Sequence, residues 1–185
     1  MKTVMITGVC GVGKSTLIRG LAEQLRVPWN DYADFMLEVI KDVDRDIFPH
    51  LAWKSRREVY RAVDAILVER LAEKKEDLYL LENHLTIIHD EKIIPLDFAP
   101  YEKYRLAGLV VIEGDPLMIA ERRINDLGRR RMDDTVGLIS EQQEMNRVAA
   151  KKIASRLAIP HVFFVNQDAS ILGPKLARWI SDLRR

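Results

Sequence analysis

The nine residues Gly8-Val9-Cys10-Gly11-Val12-Gly13-Lys14-Ser15-Thr16 constrain this chain more than any other stretch. They follow the apolar run Val4-Met5-Ile6 and precede Leu17-Ile18-Arg19-Gly20-Leu21, so the order reads strand, glycine-rich loop, helix. Glycines let a backbone curl with its N–H groups turned inward, and the first helical turn adds the positive end of its dipole. Together these make a cradle for a polyphosphate. Within the pattern G-x-x-x-x-G-K-[ST], Lys14 is expected to reach the terminal phosphates and the Ser15 hydroxyl to take a place on Mg2+. The plain alternative is a glycine turn that only joins a strand to a helix; the flanking segments argue against it.

The chain has 185 residues, enough for one domain with a full core. Hydrophobic residues at 48% and charged residues at 31% exclude a disordered chain. A net charge of +1 gives no bulk electrostatic reason for a nucleic-acid or membrane partner. Cys10 is the sole cysteine, which excludes an internal disulfide and suits a reducing compartment. Its place in the loop reads as a small residue tolerated at a variable position. No run reaches transmembrane length and the N-terminus lacks a signal-peptide pattern, so the expected setting is cytoplasmic.

Periodicity predicts helices from about Lys14 to Arg26, from Asp34 to about Val43, and from Ser55 to about Lys75, the last with Ser55 and Glu58 as a capping box. Three more follow: from Asp115-Pro116 to about Asp126, from near Ser140 to Arg156, and a terminal one to about Leu183. Leu78-Tyr79-Leu80-Leu81, Leu109-Val110-Val111-Ile112 and Val162-Phe163-Phe164-Val165 are apolar runs without alternation, the mark of strands buried on both faces. Val27 to Tyr32 reads as a further strand, and Pro28 puts it at a sheet edge. His89 to Arg105 reads as irregular and loop-like. The expected fold is α/β: a three-layer α/β/α sandwich around a parallel sheet of about five strands, with the P-loop at the end of the first strand. Ligands in such sheets gather at strand carboxyl ends, here Gly8 to Ser15, Glu82 to His84, Gly114, and Asn166 to Asp168.

Glu82 follows four apolar strand residues directly, so its carboxylate must face a crevice or a partner. That is where an acid holding Mg2+ beside Ser15 belongs. His84 is expected to orient a water or a phosphate, or to be a hydrogen-bonded loop histidine. Arg129-Arg130-Arg131 follow Gly128, with Arg122 and Arg123 before them and Arg147 after. Guanidinium groups stabilise the charge that phosphoryl transfer spreads, so this segment reads as a lid over about 126–139. The alternatives are a solvated basic loop or a patch for RNA or an acidic partner.

As a set, these residues resemble the archaeal-type adenylate kinases and their P-loop relatives, which include an adenylate-kinase-like ATPase of ribosome maturation. The resemblance lies in Thr7 to Ser15, Asp34-Phe35-Met36, Glu82-Asn83-His84, and the spacing of Arg129, Arg131 and Met145-Asn146-Arg147. It implies a single kinase domain over 1–185, with an acceptor-binding helical insertion at about 33–75. ATP would lie on Gly8, Gly11, Val12, Gly13, Lys14, Ser15 and Thr16, with adenine bordered by Arg123 or Arg129 and by Asn166 and Asp168. A nucleoside monophosphate acceptor would sit between Tyr32 to Met36, the helix from Ser55, and Glu82 to Thr86. Lys14, Arg129, Arg131 and Arg147 would neutralise the transferred phosphoryl. The chain departs from the family at Pro49-His50, where relatives have an arginine that grips the acceptor phosphate; Arg45 and Arg56 are the available substitutes. Ala33 stands in place of a glycine, and Glu82 in place of an aspartate.

Three activities share this apparatus and differ in the acceptor. The first is a nucleoside monophosphate kinase using ATP and Mg2+. The second is an ATPase or nucleotide-switched protein acting with RNA or a protein partner. The third is a kinase for a nucleoside or small metabolite.

Overall fold

The computed structural model describes residues 2–41, 53–89, 92–126 and 135–184. Among these, five parallel strands form one sheet: β1 (Lys2–Gly8), β2 (Trp29–Asp31), β3 (Leu78–Glu82), β6 (Leu106–Glu113) and β7 (His161–Val165), in the order β2-β3-β1-β6-β7. β2 takes the edge, where the missing N–H of Pro28 costs no ladder bond. The helices are α1 (Lys14–Leu25), α2 (Tyr32–Val39), α3 (Trp53–Glu73), α4 (Pro116–Ile124), α5 (Val136–Leu157) and α6 (Ala169–Asp182).

Alternation along the central strands divides the core into two layers. Val4, Ile6, Leu78, Leu80, Val110 and Ile112 face α1, α4 and α6, and pack with Leu17, Leu21, Ile119 and Leu176. Met5, Tyr79, Leu81, Leu109 and Val111 face the other way, onto Val63, Leu67, Leu71 and Ile153 of α3 and α5. Both faces of the sheet are therefore dry, which is why its strands read as unbroken apolar runs. The expected three-layer sandwich is the observed one.

Three local expectations are corrected. α2 begins at Tyr32 rather than Asp34, because Asp31 caps it: the Ala33 N–H donates to Asp31 Oδ1 at 2.9 Å and the Asp31 N–H donates to Asp34 Oδ2 at 3.3 Å. α3 is already helical at Trp53, which places Ser55 inside the helix and not at its cap. The stretch expected to be irregular from His89 carries an antiparallel hairpin, β4 (Thr86–His89) with β5 (Lys92–Pro95), and a 3-10 helix at Ala99–Lys103. Ile87 pairs with Ile94 and Ile88 with Ile93, and Pro95 falls at the last residue of an edge strand, where it is tolerated. The end of the predicted second helix and the Phe48-Pro49-His50 break lie outside the described residues, as do Arg45 and the arginines at 129–131. Among the described residues, no helix is long and apolar enough to cross a membrane.

Candidate functional site

The loop from β1 into α1 is held in shape by close packing. Gly8 has φ +149°, and a Cβ there would lie 2.3 Å from the Ile112 carbonyl oxygen of the neighbouring strand. At Gly13, φ is +94° and a Cβ would meet Asn166 Nδ2 at 2.6 Å. Asn166, just past β7, donates that amide to the Val12 carbonyl at 2.8 Å. From the other side, Arg123 of α4 donates its Nε to the Cys10 carbonyl at 2.9 Å, and its stem packs on Gly11. Thus Arg123 and Asn166, both expected beside an adenine, act on the loop backbone and brace the cradle.

Lys14 and Ser15 open α1 and face Glu82 at the tip of β3. Lys14 is buried, with Nζ donating to the Val9 carbonyl at 3.1 Å and lying 3.7 Å from Glu82 Oε1. The Ser15 hydroxyl donates to the same oxygen at 3.1 Å. Glu82 Oε2 is buried without a hydrogen-bond partner. Burial raises the Glu82 pKa above the ordinary glutamate value and Asp31 adds to this, while Lys14 and Ser15 oppose it. A hydroxyl beside a carboxylate oxygen that has no donor is a fitting pair for a hard, oxygen-seeking cation, so these residues fit Mg2+. Thr16 follows in the first turn of α1, exposed at the cavity wall.

These groups line a cavity of about 350 Å³, as do Tyr32, Met36 and Arg56. It adjoins a larger one, about 790 Å³, between α3, the hairpin and the 3-10 helix. Tyr32, Tyr60, Asn83 and Leu96 border both. On the wall of the larger cavity, Asp64 accepts from the Tyr32 hydroxyl at 2.9 Å and from the Tyr104 hydroxyl. Burial raises the Asp64 pKa, and the two phenol donors partly offset it.

His84 lies at the mouth of the phosphate loop, its Nε2 3.9 Å from Cys10 Sγ. Cys10 is exposed as a residue, yet its sulfur is crowded by protein atoms. Crowding alone would raise its pKa; His84, with Lys14 and Arg123, outweighs that and holds the thiol well below its usual value.

Arg147 is placed by Glu113, at the carboxyl end of β6. Its Nη2 donates to Glu113 Oε2 at 2.6 Å and its Nε to Oε1. Nearby, Gln143 clamps Gly114 through its N–H at 2.8 Å and its carbonyl at 3.0 Å. Asp168 is exposed and caps α6 through the Ser170 N–H at 2.7 Å. The structure thus brings together the loop, Glu82, His84, Arg123 and Asn166, and holds Arg147 at the adjacent strand tip. Sequence reasoning missed Glu113, although it ends an apolar run just as Glu82 does.

A family model described as an AAA domain matches residues 7–140. The adenylate kinase of Thermoplasma volcanium is 33% identical over 156 residues, covering 79% of this chain and 80% of that protein. The adenylate kinase of Pyrococcus horikoshii is 31% identical over 153 residues, covering 80% and 77%. Among solved structures, the shikimate kinase from Acinetobacter baumannii in complex with shikimate superposes with a TM-score of 0.66 at 18% identity, covering 98% of this chain and 94% of that one. That last likeness is one of fold alone.

Proposed function

The chain belongs to the AAA-domain family of P-loop proteins, among the relatives of the archaeal adenylate kinases, and on that premise we propose that it is a nucleoside monophosphate kinase using ATP and Mg2+. AMP is the acceptor that this kinship favours. The observation that carries the reading is the pairing of Ser15 with Glu82, whose second oxygen has no donor, in one cavity that Lys14 and Arg56 also line.

In this reading the loop amides and the start of α1 bind the ATP phosphates, and Lys14 lends its charge to the γ-phosphoryl. When bound, Mg2+ would supply positive charge against the negative charge of the phosphates. Ser15 and Glu82 fix where that charge lies. A phosphate acceptor is already anionic, so no general base is needed and positioning does most of the work. Arg129, Arg131 and Arg147 are the proposed counter-charges of the transition state, in a lid at 126–139; residues 33–75 are the proposed acceptor-binding insertion. The setting is cytoplasmic, and no membrane, nucleic-acid or protein partner is required.

The test is a coupled assay with ATP, Mg2+ and a panel of monophosphates, nucleosides and sugars. ADP formation accelerated by AMP or another monophosphate is the expected result. Acceleration by nucleosides or sugars alone, or phosphate release indifferent to every acceptor, overturns the proposal.

A further inference from the structure

We propose that Asp64 reads the base of the acceptor, selecting one with an amino group over one with a carbonyl at the same ring position; this rests on the kinase reading above. The larger cavity, about 790 Å³, is of the size that takes a small organic ligand. It shares Tyr32, Tyr60, Asn83 and Leu96 with the smaller cavity, which Lys14, Ser15 and Glu82 line. A nucleotide with its phosphate beside those groups has its base to place across that shared border.

The lining suits a flat heterocycle. Tyr32, Tyr60 and Tyr101 bring rings to it, and Ile94, Pro95 and Leu96 bring apolar surface. Asp64 is a half-buried carboxylate in the same wall. Among the described residues, the hydrogen bonds it accepts come from the Tyr32 and Tyr104 hydroxyls, and both end on Oδ1. Its second oxygen, Oδ2, takes no donor from those residues. Burial raises the Asp64 pKa most, Tyr104 and Tyr32 lower it, and Asp97 raises it further, so no cation offsets the burial. Arg57, Arg61 and Lys103 line the cavity as exposed residues and are not among these neighbours. A carboxylate drawn out of water is costly unless a donor meets it, and a bound base supplies the donor that this wall lacks.

An amino group on the base donates an N–H to Oδ2, a charge-assisted hydrogen bond. A carbonyl at that position sets two acceptors against each other and leaves the carboxylate unmet. Adenine and cytosine carry the amino group where hypoxanthine and uracil carry the carbonyl. The phenols add a constraint. Because both donate to Oδ1, an amide in place of the carboxyl keeps its oxygen there and turns its NH2 to the Oδ2 position. Asp64→Asn is therefore expected to admit the carbonyl base, and not only to lose the amino one.

The test uses the full chain with ATP, Mg2+ and two matched pairs of acceptors, AMP with IMP and CMP with UMP. It measures kcat/KM for each acceptor and the melting temperature of each variant. In every pair that the wild type phosphorylates, the amino member should lead by about 100-fold or more. Asp64→Asn should bring that ratio below about tenfold, with kcat/KM for IMP or UMP rising above the wild-type value; a residue with only a structural role gives no such gain. If Asp64→Asn does not fold, Asp64→Ser, whose hydroxyl also donates, carries the test. Equal use of the two members of a pair, or a ratio that the variant leaves unchanged, overturns Asp64 as the reader while leaving the kinase intact. Failure of the wild type to phosphorylate any monophosphate overturns the kinase reading itself.

Discussion

Glu113, at the carboxyl end of β6, holds Arg147 of α5 in a two-pronged ion pair, with Nη2 2.6 Å from Oε2. The carboxylate is buried, whereas the Arg147 side chain is 46% exposed, so one end of the pair is fixed and the other reaches solvent. Glu113 also gives its main-chain carbonyl to the Asn166 N–H at 2.7 Å, and Asn166 braces the phosphate loop. The strand tip therefore ties the arginine's position to that of the cradle.

On the proposed mechanism, in which Arg147 meets the transferred phosphoryl, Glu113→Gln is expected to lower kcat about 10- to 100-fold with little change in KM for ATP, because Arg147 would lose its anchor. Since water reaches the arginine, the stability change should be only about 1 kcal/mol. A double-mutant cycle with Arg147→Ala checks the pairing; additive losses in kcat would separate the two residues.

Gly8→Ala tests whether the loop's start depends on backbone contact. The added Cβ would fall 2.3 Å from the Ile112 carbonyl oxygen, at φ +149°, and neither strand can move without breaking the sheet. A loss of about 3 kcal/mol or more is expected in chemical denaturation. Gly20→Ala, where a Cβ meets nothing within 4 Å, is the control and should cost nothing.

Glu82→Gln separates stability from activity. The folded chain binds a proton at Glu82 more tightly than the unfolded chain does, because burial raises the pKa from its ordinary value of 4.5. The stabilising contribution of this group is therefore complete below that value and is lost as pH rises through the folded pKa. Relative to Glu82→Gln, the wild type should lose melting temperature from pH 4 to pH 8. Phosphoryl transfer by the variant should fall about 10²- to 10³-fold at neutral pH, since an amide is a poor Mg2+ ligand.

Cys10 should alkylate with iodoacetamide at neutral pH faster than an ordinary thiol. Its neighbours His84, Lys14 and Arg123 hold its pKa low, and the residue is exposed. Between pH 8 and pH 6.5 the labelling rate should fall less steeply than that of an unperturbed thiol, which slows about tenfold per unit. Mg-ATP should slow the labelling, and the labelled protein should not bind ATP. Mass spectrometry of the loop peptide reads both.

The phosphate loop, Glu82 and the parallel sheet with its edge strand were legible in the sequence because each follows from local chemistry. An apolar run ended by glycine or by an acid has few other meanings beside G-x-x-x-x-G-K-[ST]. The hairpin from Thr86 was not legible: four-residue strands carry almost no periodicity, and Pro95 argues against a strand except at an edge. Glu113 carried the same signal as Glu82, but its partner Arg147 is 34 residues away, and no spacing rule links them. The resemblance implies that Arg123 or Arg129, with Asn166, borders the adenine. Arg123 and Asn166 also donate to main-chain carbonyls of the loop, contacts that no side-chain pattern reveals.

By itself the sequence determined the sandwich, the cradle and the pairing of a hydroxyl with an acid, because backbone conformation and strand burial are written into neighbouring residues. The tertiary structure decided which charges meet: Arg56 beside Tyr60 and His89, Arg147 on Glu113, Arg123 against the Cys10 carbonyl. Those contacts join segments far apart in the chain. A buried charge is stabilised by whatever packing brings to it, and packing is a property of the whole fold.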